Sequence, residues 1–147
     1  MQKAKTEGRG SERGFLALTA DELMTAEPKV VGDTASVGEA IELLEELDVR
    51  HLPVVDGEGN LVGMLSDRDL RPLADTNDPE SWIRRMRTPV AELMTGGVIC
   101  VTPDADMAEV IELMLEHRIG AIPVVDGEGQ VVGIVSYVDI LRTIVQE

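Results

Sequence analysis

The stretch PVVDGEG at residues 53–59 occurs a second time, unchanged, at residues 123–129. A shift of 70 residues relates the two stretches, and the same shift places ELMT at residues 22–25 on ELMT at residues 92–95 without a gap. Between residues 22 and 70, 22 of the 49 positions are identical to their mates 70 residues later. Such a long repeat in a single register predicts one fold that occurs twice. We call residues 22–70 the first copy and residues 92–140 the second copy.

Each copy combines a helical pattern with a hairpin pattern. Apolar residues recur at helical spacing over residues 35–48 and 105–118, and acidic residues fill the opposite face. Short apolar strands then precede each DGEG turn and follow it, since glycine and aspartate are typical of tight hairpins. We predict these strands at residues 51–55 and 61–65 of the first copy, and at residues 121–125 and 131–135 of the second.

A serine follows the second strand of each hairpin. Ser66 and Ser136 stand at the expected N-cap of a helix, and Asp69 and Asp139 follow them at the spacing of a capping box. Each unit therefore consists of strand, helix, strand, hairpin, strand and helix. The fold class is α/β, with two pseudo-symmetric βαββα repeats, each containing a small mixed sheet of three strands covered by helices.

The domain boundaries follow from the copies and from the polar segments around them. We expect a flexible N-terminal segment over residues 1–20, a first repeat over 21–75, a connector over 76–90 and a second repeat over 91–147. The first fourteen residues are expected to be disordered. The connector is predicted to be helical with loop ends. It carries Trp82 and the basic cluster Arg84, Arg85 and Arg87, which is either a solvated helix face or a partner contact.

Composition excludes several classes of protein. The chain has 147 residues, a net charge of −15 and 44% hydrophobic residues. Duplex nucleic acid is excluded as a partner because too few cations are available to neutralise its phosphates. No apolar run approaches the roughly 20 residues that span a bilayer, so no membrane association is expected. The single cysteine, Cys100, and the polar start predict a reducing, cytoplasmic location.

Catalysis is not indicated by the pattern of reactive side chains. The chain contains two histidines, His51 and His117, and neither copy repeats a nucleophile beside a base. Histidine and cysteine also lack the spacing of a metal site. We expect neither an enzyme nor a metal centre.

The ordered set of motifs resembles a tandem pair of cystathionine β-synthase (CBS) domains, the Bateman module, over residues 21–146. The resemblance is carried by the PVVD turns and by GMLSDRD at residues 63–69 and GIVSYVD at residues 133–139. It implies a regulatory module that binds adenosine-containing ligands such as AMP, ADP or ATP in clefts between the repeats. Such a module reports energy or metabolite state to a partner protein, whose identity the sequence leaves open. The resemblance also implies a homodimer and no required cofactor, with an adenine nucleotide as ligand that Mg²⁺ could accompany.

The two aspartates, Asp69 and Asp139, are candidate partners for the ribose hydroxyls of such a ligand. A carboxylate can accept hydrogen bonds from both ribose hydroxyls, and the serine at the helix N-terminus can add its own hydroxyl. Carried over from the family, one cleft joins Ile134, Ser136 and Asp139 to Lys29, Val31, Val49, Arg50, His51 and Pro53. The other joins Met64, Ser66, Arg68 and Asp69 to Ile99, Val101, Ile119, Ala121 and Pro123.

The two clefts are expected to differ in affinity. Arg50 and His51 precede the proline of the first copy, where the second copy has Gly120 and Ala121. Because cations bind phosphate, we predict tighter nucleotide binding by the cleft that contains Ser136 and Asp139.

Two alternatives stay open. The Ser-x-x-Asp motifs could be helix caps only, in a dimerisation or scaffolding module with empty clefts. An S-adenosylmethionine sensor is the other alternative, although phosphate-binding cations would then be superfluous.

Overall fold

The structure is a computed structural model, and it describes residues 14–70 and 77–146. Most of the segment predicted to be disordered lies outside the described residues. So do residues 71–76, at the junction of the first repeat and the connector.

The described strands and helices lie close to their predicted positions. The strands are β1 (Thr25–Ala26), β2 (Val31–Gly32), β3 (His51–Val55), β4 (Leu61–Ser66), β5 (Ala121–Val125) and β6 (Val131–Ser136). The α-helices are α1 (Ala20–Leu23), α2 (Val37–Leu47), α3 (Asp67–Leu70), α4 (Pro79–Met86), α5 (Met107–His117) and α6 (Tyr137–Val145). Short 3₁₀ turns occupy Phe15–Ala17 and Val90–Glu92.

The chain folds into two compact units that do not coincide with the two copies. Of the described residues, unit 1 contains residues 14–27, 99–127 and 132–146, and unit 2 contains residues 28–70, 77–98 and 128–131. The opening segment of the first copy therefore folds with most of the second copy. The corresponding ELMT segment of the second copy folds with the first. The sequential boundaries predicted for the repeats and connector are not tested by this division and stay a prediction.

Unit 2 contains a mixed sheet in which β3 is central. Val31 of β2 pairs in parallel with Val54, and β4 runs antiparallel to β3. The amphipathic helix α2 covers this sheet, since its apolar face is buried and its glutamates are exposed. The core consists of Val31, Val37, Ala40, Leu44, Leu52, Val54, Leu65, Leu70 and Val90.

Unit 1 contains a sheet in the order β1, β6, β5. Thr25 of β1 pairs antiparallel with Ile134, and Val101 forms a single parallel bridge to Val124. The helix α5 presents its apolar face to the core as predicted. The core consists of Ala20, Val101, Ala105, Met107, Val110, Met114, Ile122, Val124, Val135 and Ile140.

The opening strand of the second copy is shorter than expected because of one proline. In unit 2 the backbone N–H of Asp33 donates to the carbonyl of Val55 at 2.9 Å and extends the ladder of β2. The mate of Asp33 is Pro103, which has no N–H to donate. The predicted strand is therefore reduced to a bridge at Val101.

Glycine permits a close approach at one point of each sheet. A Cβ built at Gly133 would overlap the Met24 side chain, and one at Gly63 would overlap Met94. The methionine of each ELMT segment thus packs directly on a strand of the unit into which that segment folds. Met24 and Met94 lie against the two cores.

None of the helices in the described ranges is long and apolar enough to cross a membrane.

Candidate functional site

Ser136 and Asp139 form a closed set of hydrogen bonds at the start of α6. The Ser136 backbone N–H and hydroxyl both donate to Asp139 Oδ2 at 3.0 Å, and the Asp139 N–H donates back to Ser136 Oγ at 3.3 Å. The other carboxylate oxygen, Oδ1, lies 3.8 Å from Nη1 of the exposed Arg142. The predicted N-cap of this helix is confirmed.

Ser66 and Asp69 repeat this arrangement in unit 2. The Ser66 N–H and hydroxyl donate to Asp69 Oδ2 at 2.9 Å, and the Asp69 N–H donates to Ser66 Oγ at 3.3 Å. Both side chains are half-buried, as are their mates in unit 1. Each motif therefore fixes its aspartate through Oδ2, and Oδ1 takes no part in the capping bonds.

Cationic side chains accompany the motif of unit 2. His51 lies directly opposite Ser66 in the antiparallel ladder, and the Asp67 N–H donates to the Arg50 carbonyl at 2.9 Å. Arg50 and Arg68 are exposed, and His51 is half-buried. The strand entrance and the serine motif of the first copy thus lie side by side within one unit.

The environment of His51 lowers its pKa from the usual value. Burial, which disfavours the charged imidazolium, is the largest cause, and the positive charge of Arg50 acts in the same direction. The carboxylates of Asp69 and Asp67 oppose the shift. A further anion beside His51 would favour the charged imidazolium and would raise this pKa.

The corresponding place in unit 1 has small and apolar side chains. The Tyr137 N–H donates to the Gly120 carbonyl at 2.9 Å, the same backbone bond that Asp67 makes with Arg50. Ala121 is buried where His51 is half-buried. The backbone hydrogen bond is thus the same in both units, whereas the cationic side chains of Arg50 and His51 have no counterpart at Gly120 and Ala121.

The remaining predicted residues divide between the two units. In unit 2, Val31 lies on β2, Pro53 of β3 is paired with Met64 of β4, and Lys29 and Val49 are exposed. In unit 1, the Val101 N–H donates to the Pro123 carbonyl at 3.1 Å, and Ile134 pairs with Thr25. Ile99 and Ile119 are half-buried in that unit. The assignment of these residues to two clefts stays a prediction.

Sequence reasoning missed two threonines and one arginine beside the motifs. Thr25 pairs with Ile134, and Thr95 forms a bridge with Met64. The identical ELMT segments were the available signal, but the exchange of these segments between units could not be read from spacing. Arg142, near Asp139, was detectable only as a cation three residues after the motif.

Among the described residues, no group of three or more histidine, cysteine, aspartate or glutamate side chains is arranged to hold a metal ion. Cys100 is free and exposed.

The comparisons with known proteins agree with this architecture. The family model described as "CBS domain" matches residues 20–73 and 90–146. The CBS domain-containing protein YhcV of Bacillus subtilis is 34% identical over 119 residues, which are 80% of this chain and 79% of YhcV. Inosine-5'-monophosphate dehydrogenase of Methanocaldococcus jannaschii is 34% identical over 123 residues. This chain spans only 23% of the length of that enzyme.

Two solved structures are similar in both fold and sequence. CBSX2 in complex with AMP has a TM-score of 0.75 and 32% identity, covering 87% of this chain and 96% of CBSX2. The CBS domain pair of protein MJ0100 in complex with 5-methylthioadenosine and S-adenosyl-L-methionine has a TM-score of 0.75 and 28% identity. That likeness covers 88% of this chain and 98% of the MJ0100 chain. The predicted α/β fold of paired repeats is confirmed, and this chain belongs to the CBS-domain family.

Proposed function

We propose that this chain is a non-catalytic regulatory module that binds an adenine nucleotide and signals energy or metabolite state to a partner protein. The observation that carries the proposal is the identical Ser-x-x-Asp geometry in both units, with Oδ1 of each aspartate outside the capping bonds. The AMP bound by CBSX2 supports a nucleotide as the ligand.

The chemistry of the proposed ligand matches these groups. A ribose hydroxyl donates to the carboxylate, and such charge-assisted bonds are stronger than neutral ones. The phosphate requires cations, and Lys29, Arg50, His51 and Arg68 supply them in unit 2. The apolar side chains of Ile134 and Met64 are suited to the faces of adenine.

Isothermal titration calorimetry of nucleotide-stripped protein tests the proposal. AMP, ADP, ATP and S-adenosylmethionine are titrated with and without Mg²⁺, and we expect micromolar binding of at least one nucleotide. The double variant Asp69→Ala, Asp139→Ala should abolish that binding. Glu39→Ala is the matched control, because Glu39 forms the capping box of α2 with Ser36 and has no proposed ligand role.

The possible outcomes separate the alternatives. If none of the ligands gives a binding signal, the scaffolding module would be the function that is left. Binding of S-adenosylmethionine in preference to all nucleotides would favour the S-adenosylmethionine sensor, a ligand also found with MJ0100. Nucleotide binding that survives the double aspartate variant would contradict the assignment of the site.

We also propose that two copies of the chain associate through unit 1. On α6, Leu141 is 56% exposed and Val145 is 83% exposed, and Leu115 of α5 is 74% exposed. Leu141 and Val145 stand four residues apart on one face of α6. Exposed apolar side chains that cluster in this way usually mark an interface, and a two-fold axis places the same face on both partners. Light scattering should give the mass of a dimer, and Leu141→Glu should convert it to a monomer. A monomeric parent chain would contradict this assembly.

A further inference from the structure

The helix α4 has features that neither the repeat nor the family accounts for. It lies between the two copies and outside both matches of the family model. None of its eight residues is buried, and the side chains of Trp82 and Ile83 are 49% and 45% exposed. An exposed tryptophan beside an exposed isoleucine is not explained by core packing.

Trp82 and Ile83 line a surface groove. The groove has a volume of about 370 Å³, sufficient for one large side chain, and the other described residues that line it are Asn77, Asp78 and Pro79. The Asp78 carboxylate accepts hydrogen bonds from the Glu80 N–H at 3.2 Å and from the Ser81 hydroxyl at 2.9 Å. Its charge is therefore engaged in capping the helix.

A basic strip continues from this groove. Arg84 and Arg87 are exposed, and Arg87 stands four residues after Ile83, so the two share a helix face. Within the described parts of the chain, neither arginine forms an ion pair. In a chain with a net charge of −15, this local excess of cations favours an acidic partner.

Backbone hydrogen bonds connect the segment that follows α4 with the strand that carries Val31, and the Thr88 N–H of that segment donates to the Arg85 carbonyl of α4 at 3.2 Å. The Val37 N–H of α2 donates to the Thr88 carbonyl, and the Val90 N–H donates to the Ala35 carbonyl, both at 2.8 Å. The Ala35 N–H in turn donates to the carbonyl of Gly32, which follows Val31 on β2, at 3.0 Å. A displacement of β2 can therefore reach α4 without leaving unit 2.

The helix α4 also packs closely against α2. A Cβ at Gly38 would lie 3.3 Å from the Met86 carbonyl oxygen, which is tighter than an ordinary contact. The absence of a side chain at Gly38 thus lets α4 rest directly on α2.

We propose that the α4 surface, formed by Trp82, Ile83, Arg84 and Arg87, docks an acidic segment of a partner protein that carries one large apolar side chain. The apolar side chain enters the groove, and carboxylates lie against Arg84 and Arg87. Tryptophan and arginine are the residue types that most often dominate interface energies. Nucleic acid fits less well, because none of the described residues that line the groove is a cation that could contact a phosphate backbone. The use of this surface as the output of the module rests on the proposed function.

Intrinsic fluorescence tests the docking directly, because Trp82 is the only tryptophan of the chain. The probe is an array of acidic peptides of about 12 residues, each with one central Leu, Ile, Met, Phe or Trp. Peptides selected on the array, other than those with tryptophan, are then titrated against the full chain. We expect a saturable shift of the Trp82 emission to shorter wavelength, and no response to matched peptides with lysine in place of the acids.

Charge reversal separates docking from general electrostatics. The double variant Arg84→Asp, Arg87→Asp should weaken peptide binding by about tenfold or more. Arg118→Asp is the control for a single charge reversal, because Asp48 already occupies the same left-handed position in the first copy. Equal affinity of the double variant and the parent chain would overturn the proposal, as would the absence of any saturating peptide.

Coupling to nucleotide is measured separately. If AMP changes peptide affinity by some factor, the peptide must change AMP affinity by the same factor. Peptide binding by a chain that binds no nucleotide would keep the docking surface and contradict the proposed function. Nucleotide binding without any peptide response would leave the proposed function intact and contradict the docking surface.

Discussion

The two copies have the same backbone geometry but different side chains around their serine motifs. Both motifs form the same three hydrogen bonds, and Asp48 and Arg118 adopt the same left-handed conformation after their helices. Next to these shared features, Arg50 and His51 of the first copy are replaced by Gly120 and Ala121 in the second. Identity between the copies thus marks positions that the fold requires, and difference marks positions where recognition can diverge.

The comparison of the copies also bears on the exposed apolar side chains of α5 and α6 and on the surface of α4. The mate of Leu115, which is 74% exposed, is Glu45, and the mates of Leu141 and Val145 are Arg71 and Asp75. These three exposed apolar side chains of α5 and α6 therefore have charged residues as their mates 70 residues earlier. The helix α4 has no mate at all. Both proposed interaction surfaces therefore lie where the repeat is broken.

The largest predicted effect concerns a position at which the copies are identical. Gly133→Ala should destabilise the fold by about 1–3 kcal/mol, because the new methyl overlaps Met24, including its Cβ at 3.0 Å. Gly63→Ala should cost a similar amount, since its methyl would overlap the Met94 side chain and would lie 3.1 Å from the Thr95 carbonyl oxygen. Urea unfolding of both variants measures the two losses.

Gly127→Ala is the control, because a Cβ there would meet nothing within 4 Å. Adding Met24→Ala to Gly133→Ala should recover part of the lost stability, since neighbouring changes are not additive. Full additivity of the two changes would contradict the proposed close approach.

A smaller effect is expected at the aspartates Asp69 and Asp139, which are identical in the two copies but belong to different predicted clefts. Loss of a charge-assisted hydrogen bond costs about 1.5–3 kcal/mol, equivalent to roughly a tenfold to hundredfold loss of affinity. We predict that Asp139→Ala weakens AMP binding more than Asp69→Ala does, because the predicted cleft of Asp139 is the one that also contains Arg50 and His51. Calorimetry of the two single variants measures the difference. Equal losses would remove the predicted asymmetry.

A cation of the first copy can be replaced by the residue at the same position of the second copy. Arg50→Gly introduces the residue of the second copy and should weaken AMP binding by about tenfold while leaving adenosine binding unchanged. The ratio of AMP to adenosine affinity is the measurement. An unchanged ratio would show that Arg50 contributes nothing to phosphate recognition.

The sequence predicted most of the local structure and part of the site. The helical and hairpin patterns placed α2, α5 and β3–β6 within two residues, because amphipathic spacing and turn chemistry are local properties. The exchange of the ELMT segments between units was not predictable, since Thr25 and Ile134 are far apart in sequence. The bridge at Val101 was readable in principle, because Pro103 cannot donate a hydrogen bond to the sheet.

The smallest effect predicted is a dependence of stability on pH that only the first copy can show. Because the folded state lowers the pKa of His51, the unfolded chain binds more protons than the folded chain as the pH falls past 6.5. Stability should therefore decrease on acidification from about pH 7.5 to about pH 5.5, above the range in which Asp56 titrates. His51→Ala, which introduces the residue found at position 121, should flatten this dependence in urea unfolding.

Nucleotide should reverse the direction of this effect. A phosphate beside His51 favours the imidazolium, so AMP binding should take up protons and strengthen as the pH falls. Calorimetry in two buffers of different ionisation enthalpy measures that uptake, and His51→Ala should abolish it. If uptake persists in the variant, the phosphate does not lie beside His51. The difference in phosphate-binding cations between the copies would then reside in Lys29, Arg50 and Arg68.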